Sequence, residues 1–436
     1  MGTIADKLLY LDDTKQLLRQ AINATGGGLS ADDPFRSYVA ELLRRESTLR
    51  LDFDQSVYGV GSHPYVRDDS LAFGDLITFT RSTGGGRFNQ FGMYEWVAAD
   101  VPRIDHDPET LGSSTDSITL GYGIMTINTD YEYPVGESVV VSHDASNYMV
   151  GKVLDSSTTA VTLNVVTVVG SGTYSDWSLI VRKGLLVEES RTNLARYSDE
   201  PDNAAWSKIN SATVTPNIGE APDGTISADR ISFTSASGVL GSRIEQPVSV
   251  STTGSYTQSV WLKSEGADLS IIIGQTGTGG FKAVTVTGEW QRHDITFTVS
   301  GATAYPRISN NSGSAATVLV WGHQFEFGTF PTSYIPTAGA AVTRAVDIPT
   351  RALGSEYNTN AGTLIVKAKA AAVGDTIATL GSVSITADSL AEKTYAATYN
   401  TSNPATELEL NPSATFSEIR YFPRVLTSEE LQAITQ

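Results

Sequence analysis

From residue 51 onward the chain is written in short runs of Val, Ile, Thr, Tyr and Phe, each closed by a cluster of Gly, Asn, Asp or Ser. Runs this short, bounded by turn residues, cannot hold helices and dictate antiparallel β structure. At 436 residues the chain is longer than one core normally organises, so two to four modules are predicted. Residues 51–112 read as strands and extended connections, with a hairpin around Gly84–Gly86. Residues 113–182 carry roughly six short strands, enough for a small inserted β-barrel. Residues 183–346 carry roughly eight or nine more, enough for a β-sandwich. Residues 347–436 have weaker strands and end in a helix, announced by the capping box Thr427-Ser-Glu-Glu430 ahead of Leu431 and Ile434. No fixed-period repeat is present, which argues against a propeller or a long β-helix.

The first 50 residues follow a different rule. Ile4, Leu8, Leu11, Leu18 and Ile22 fall on alternating four- and three-residue steps, with Lys15 in the one gap, as in the seam of a short coiled coil. Gly26-Gly27-Gly28 ends that helix, and Asp32-Asp33-Pro34 opens a second with Phe35, Tyr38, Val39, Leu42 and Leu43 along one face. Two readings fit: a helical hairpin packed on its own domain, or an arm for docking and oligomerisation. A two-helix unit of this size buries little surface without a partner, which favours the arm.

Charge and composition exclude several functions. Thirty basic residues stand against 48 acidic ones, a net −18, and the first 50 residues contribute seven of each, so the excess belongs to the β region. Such a surface repels phosphate backbones and anionic lipid, so no nucleic-acid binding is expected. No apolar run is long enough to span a bilayer, and no membrane insertion is expected. Cysteine is absent, which removes disulfides, thiolate metal sites and thiol catalysis together. The five histidines, at 63, 106, 143, 293 and 323, form no His-Glu-x-x-His pair. The start of the chain lacks the apolar stretch of a signal peptide, and Asp6 occupies the place where a myristoylation motif has Ser or Thr, so synthesis in a cytoplasm is expected.

Several stretches together resemble bacteriophage tail-fibre and head-spike proteins. Phe79-Thr-Arg-Ser-Thr-Gly-Gly-Gly86 and Ala99–Pro108 resemble the lead-in of that group. Gly184–Leu194, Asn203–Lys208, Ala228–Ile231, Tyr256–Lys263, Val320–Gly328, Pro331–Thr337 and Ala341–Arg344 are similar to a carbohydrate-binding-module-like jelly roll. Residues 113–182, with Asp144–Met149 and Gly170–Tyr174, look like a small barrel inserted before it. Residues 1–45 resemble the N-terminal arm of virion proteins. Glu418–Tyr421 and Arg424–Leu431 resemble the closing strand and helix of laminin-G or concanavalin-like domains, although 347–436 is short for a complete one. The resemblance implies a mainly β, non-enzymatic structural protein of the virion. Its arm would dock to a capsid vertex or tail and join identical chains, most simply as a homotrimer, and its sandwiches would bind host surface polysaccharide. A purely architectural decoration protein and a capsular depolymerase are the alternatives.

The candidate chemistry is sparse. Glu188 and Glu189 are adjacent, so on a strand they point to opposite faces and cannot flank one glycosidic bond; a structural role, with Arg191 pairing a carboxylate, is expected. No Gly-x-Ser-x-Gly elbow is present. The loop Gly274–Gly280 lacks the Gly-Lys-Ser/Thr ending of a phosphate cradle and reads as a hairpin tip. No cofactor is expected, although the turns at 199–203 and 222–224 offer oxygen ligands and the resemblance allows a structural calcium. Sugars stack on aromatic faces, and strand parity sorts those. Tyr256, Val260 and Leu262 share one face while Trp261 lies opposite; His293, Ile295, Phe297 and Val299 share one while Trp290 and Arg292 lie opposite. Trp321 shares parity with Leu319 and Phe325 and reads as core. Trp261, Trp290 and Arg292 are therefore the candidate sugar platform, unless an overlying loop or a neighbouring chain covers them.

Overall fold

A computed structural model describes residues 47, 49–53, 57–60, 76–275 and 280–435. The predicted arm, with Ile4, Leu8, Leu11, Leu18, Ile22, Phe35, Tyr38 and Leu42, lies outside the described residues. Among the described residues every strand pairing is antiparallel, and an α-helix spans Ser428–Thr435.

Residues 112–181 wrap one sheet around one core. Its strands run in the order Gly112–Ser114, Trp177–Val187, Ser138–Asp144, Asn147–Ser156, Ala160–Val169, Gly123–Asn128. Alternation decides the packing: Val139 and Val141 enter the core with Met149, Leu163 and Leu179, while Val140 faces outward against Val150 and Ile180.

Residues 191–344 form two five-stranded sheets face to face, as a jelly roll requires. One sheet is ordered Ser207–Ile209, Arg243–Glu245, Arg307–Asn310, Leu269–Gly274, Phe281–Val286. The other is ordered Thr213–Glu220, Ile226–Phe233, Ala316–Phe327, Gly254–Ser264, Gln291–Val299. Ile271, Ile273, Ile308 and Val284 of the first meet Tyr256, Val260, Val318 and Phe297 of the second in a single apolar core. The strands Leu269–Gly274 and Phe281–Val286 pair antiparallel, with Gly274 opposite Phe281.

The third module differs most from a linear reading. Residues 51–112 do not merely lead into the jelly roll. Leu49–Asp52 pairs with Glu418–Tyr421, and Thr78–Thr80 pairs with Ile348–Thr350. Leu185–Val187, the far end of the strand that leaves the small barrel, pairs with Ala414–Phe416. These borrowed strands complete two sheets around one core that joins Leu49, Leu51, Phe53 and Phe79 to Leu364, Ile377, Leu408 and Phe416. The region at 347–436 looked short because strands from both ends of the chain build the domain. Its closing helix is capped as predicted: Glu430 N donates to Thr427 Oγ1 at 3.2 Å, and Thr427 N donates to Glu430 Oε2 at 2.7 Å. Ile434 and Leu426 then pack on Ile365 and Phe422.

One buried ionic cluster ties the modules together. Asp347, where the chain leaves the jelly roll, takes Arg81 Nη1 at 3.0 Å and Arg103 Nη2 from the lead-in. Glu188, where the chain enters it, takes Arg103 Nη1 at 2.5 Å and Arg344 Nη2 at 3.4 Å. Ser333 adds two bonds of 2.7 Å to Glu188. Burial alone would raise the Glu188 carboxyl, but Arg344, Arg103 and Ser333 hold it far below the carboxylate range. Glu189 points away and pairs with Arg191, as expected for a structural Glu-Glu step.

Candidate functional site

Parity correctly places Trp261, Trp290 and Arg292 on one face, the outer side of the sheet that carries Ala316–Phe327. The structure brings them together. The Arg292 guanidinium lies 4.4 Å from the Trp261 ring centroid and donates to Ser259 Oγ at 2.9 Å and Thr332 O at 2.7 Å. Trp290 is half-buried, and its Nε1 donates to Glu220 O at 3.0 Å. Trp261, however, is only 3% exposed. The hairpin Gly85–Phe88 and Tyr94–Val97 lies over it, with Phe88 and Tyr94 packed edge-on against the indole at 6.3 and 5.8 Å. Trp321 and Tyr334 close the cluster. Trp261 therefore offers no face to a sugar. Within the hairpin, Gly86 leaves room for the Tyr94 ring: a Cβ there would fall 1.6 Å from Tyr94 Oη.

Trp321 is core, but not the core that parity indicated. Ser259 pairs with Gln324 and Trp261 with Trp321, so the strand Ala316–Phe327 holds one extra residue between these pairs. The bulge sits at Gly322, which has φ 62°. Before it, Val318 and Val320 face the jelly-roll core; after it, Phe325 does. Trp321 is left on the outer side with Trp261.

In the first acidic turn Asp199 Oδ1 accepts from Tyr334 Oη at 2.5 Å and Gly322 N at 3.0 Å; in the second, Asp223 Oδ1 accepts from Thr225 N at 3.0 Å and Thr225 Oγ1 at 2.7 Å. Asp229, on the strand Ile226–Phe233, accepts from Asn217 N at 2.8 Å. Burial raises the Asp199 and Asp229 carboxyls to about 6. Among the described residues, no group of three or more His, Asp or Glu side chains is placed to hold a metal ion.

The outer face of the other sheet is covered in its middle, where Val239 O accepts from Arg307 Nη1 at 3.2 Å and Ser309 Oγ at 3.4 Å, and is open at the Phe281 edge. Register aligns Ser207, Glu245, Arg307, Gly274 and Phe281 in one row across five strands. Because Ile244, Ile308 and Ile273 of the neighbouring row face inward, this row faces out. Glu245 Oε2 accepts from Arg243 Nε at 2.8 Å and Arg307 Nη2 at 3.1 Å. Burial lowers the Arg307 guanidinium, which Glu245 opposes. Glycine puts no side chain between Arg307 and Phe281. Phe281 is 54% exposed, Tyr305 beside Arg307 is 43% exposed, and Leu240 is exposed as well. Arg307 is only 4% exposed, so the exposed rings are what this edge offers, and aromatic faces suit a ligand with apolar C–H faces. The signal was available in sequence: Phe281, Ala283 and Thr285 alternate with Lys282, Val284 and Val286.

No protein-family model matches the chain, and no curated protein matches it. Solved structures similar to part of it include a CBM4 structure, at 13% identity over 30% of this chain and 97% of its own, with a TM-score of 0.23. The Family 11 carbohydrate-binding module from Clostridium thermocellum, in complex with a beta-1,3-1,4-mixed-linked tetrasaccharide, matches at 12% identity over 33% of this chain and 99% of its own, TM-score 0.23. The CBM22-1 xylan-binding domain from Paenibacillus barcinonensis matches at 14% identity over 32% and 96%, TM-score 0.24. At such identities and TM-scores the likeness carries no argument, and the functional reading rests on the geometry.

Proposed function

We propose that this chain is a non-enzymatic fibre or spike protein of a phage particle that binds host surface polysaccharide through its jelly roll. The observation that carries the binding is the pair of exposed rings Phe281 and Tyr305, held on a rigid sheet beside the buried Arg307 and its partner Glu245. A binding role, rather than hydrolysis, is supported by Glu188 and Glu189, both committed to ion pairs. Attachment through residues 1–50, as a homotrimer on a capsid vertex or tail, rests on the sequence resemblance. Strand Leu49–Asp52 lies between Val57–Val60 and Ala414–Phe422. Weak single-site sugar affinity then gains from many copies on one particle.

A glycan array probed with the full chain and with a Phe281→Ala, Tyr305→Ala double variant tests the binding. Selected glycans should be retained by the first and weakened at least about tenfold by the second. If the full chain retains no glycan, yet is recovered with purified particles, the architectural alternative replaces this reading.

A further inference from the structure

Where the lead-in crosses the jelly roll, its cover is incomplete. A cavity of about 240 Å³ lies between Trp290 and Arg292 on the sheet and Phe88, Asp105 and Pro108 above it. A second cavity, of about 540 Å³, lies where the small barrel, the jelly roll and the C-terminal sandwich meet, bounded by Glu137, Phe330, Leu390 and Thr415. Both cavities have Asp105 and Lys183 in their walls, so the two are adjoining parts of one cleft.

We propose that this cleft is a second saccharide site, in which one sugar ring rests against Trp290 and further rings continue past Asp105 and Lys183 into the larger cavity. This extends the polysaccharide-binding reading and rests on it. The smaller cavity has the dimensions of a single sugar ring with its hydroxyls. The Trp290 indole is held by its bond to Glu220 O, so it forms a fixed wall. Asp107, paired to Lys183 at 2.6 Å, and Asp105, whose Oδ1 is held by Phe88 N at 2.7 Å, supply oriented acceptors along the path. Arg292 Nε is buried and makes no hydrogen bond, a donor left over at the wall of the smaller cavity. Seven carboxylates and four Lys or Arg side chains line the two cavities together. Arg103, Arg191 and Lys367, from outside the lining, pair with Glu188, Glu189 and Glu392, which leaves four carboxylates against four cations, a wall balanced in charge that suits the many hydroxyls of a sugar.

Neither this cleft nor the open sheet face shares a residue with the other, so the two can be separated. Titration calorimetry would use the full chain, the Phe281→Ala, Tyr305→Ala chain, and that chain with Asp105→Asn or Trp290→Ala added. The probe is the oligosaccharide best retained on the array. Asp105→Asn keeps an oxygen to accept from Phe88 N and so preserves the local fold. The expected result is residual binding in the sheet-face variant, lost about tenfold or more on adding either cleft substitution. Residual binding indifferent to both cleft substitutions overturns the proposal, as does its absence when the unsubstituted chain binds. An unsubstituted chain that binds no sugar instead overturns the polysaccharide reading itself.

Discussion

Gly322 sits against the face of Trp261: a Cβ built on it would meet the indole Cε3 at 2.7 Å, and its φ is 62°. Both facts forbid a side chain there, and both follow from the bulge that turns Trp321 outward. Gly322→Ala should cost about 1–3 kcal/mol through strain and overpacking. Urea unfolding checks it; a variant as stable as the parent would mean that the bulge is not held in this form.

Asp347 is the shared partner of Arg81 and Arg103, and all three side chains are fully buried. Asp347→Ala leaves the lead-in arginines and Arg344 gathered around Glu188 alone. Removing one member of a buried ionic group costs about 3–5 kcal/mol. The loss should appear in chemical denaturation as a lower midpoint, and in limited proteolysis as early cleavage of the lead-in.

Leu49, Leu51 and Phe53 are almost wholly buried in the C-terminal sandwich. A fragment comprising residues 183–436 lacks these strands and the Arg81 and Arg103 partners of Asp347. It should bind a hydrophobic dye and resist folding, whereas residues 47–436 should unfold cooperatively. A well-folded 183–436 fragment, judged by near-UV dichroism, would contradict the shared core.

Burial raises the Asp199 carboxyl from its ordinary 3.8 to about 6, against the bonds from Tyr334 and Gly322. The folded state therefore holds the proton more tightly than the unfolded chain does. This contribution to stability is complete below pH 3.8 and is lost as the pH rises through 6. Buried His323, held down to about 3, works in the opposite direction: its contribution is present above pH 6.5 and is lost as the pH falls toward 3. Subtracting the parent from Asp199→Asn isolates the first effect. The stability of the variant relative to the parent should rise between pH 4 and 6 and level off above; a flat difference would refute the assignment.

Strand-forming stretches, turns, the closing capping box and the faces of Tyr256–Lys263 and Gln291–Val299 were legible from the residues, because each depends on neighbours a few positions apart. Parity put Trp261, Trp290 and Arg292 on one side and carried no information about what lay over that side. It failed at Trp321, because a single inserted residue at a bulge reverses the alternation. Phe281 was readable as outward by the same rule; Asp105 and Asp107 carried no signal, since their cavities exist only where segments distant in sequence meet.

Local composition and periodicity by themselves determined that this is a mainly β protein, free of thiol chemistry, with an acidic β region. Only the tertiary structure decided which strands share a core, which aromatic rings stay open and where cavities remain. Pairing Leu49–Asp52 with Glu418–Tyr421 joins residues more than three hundred positions apart. Such a contact is selected by the burial of complementary surfaces in three dimensions, which no short window of sequence records.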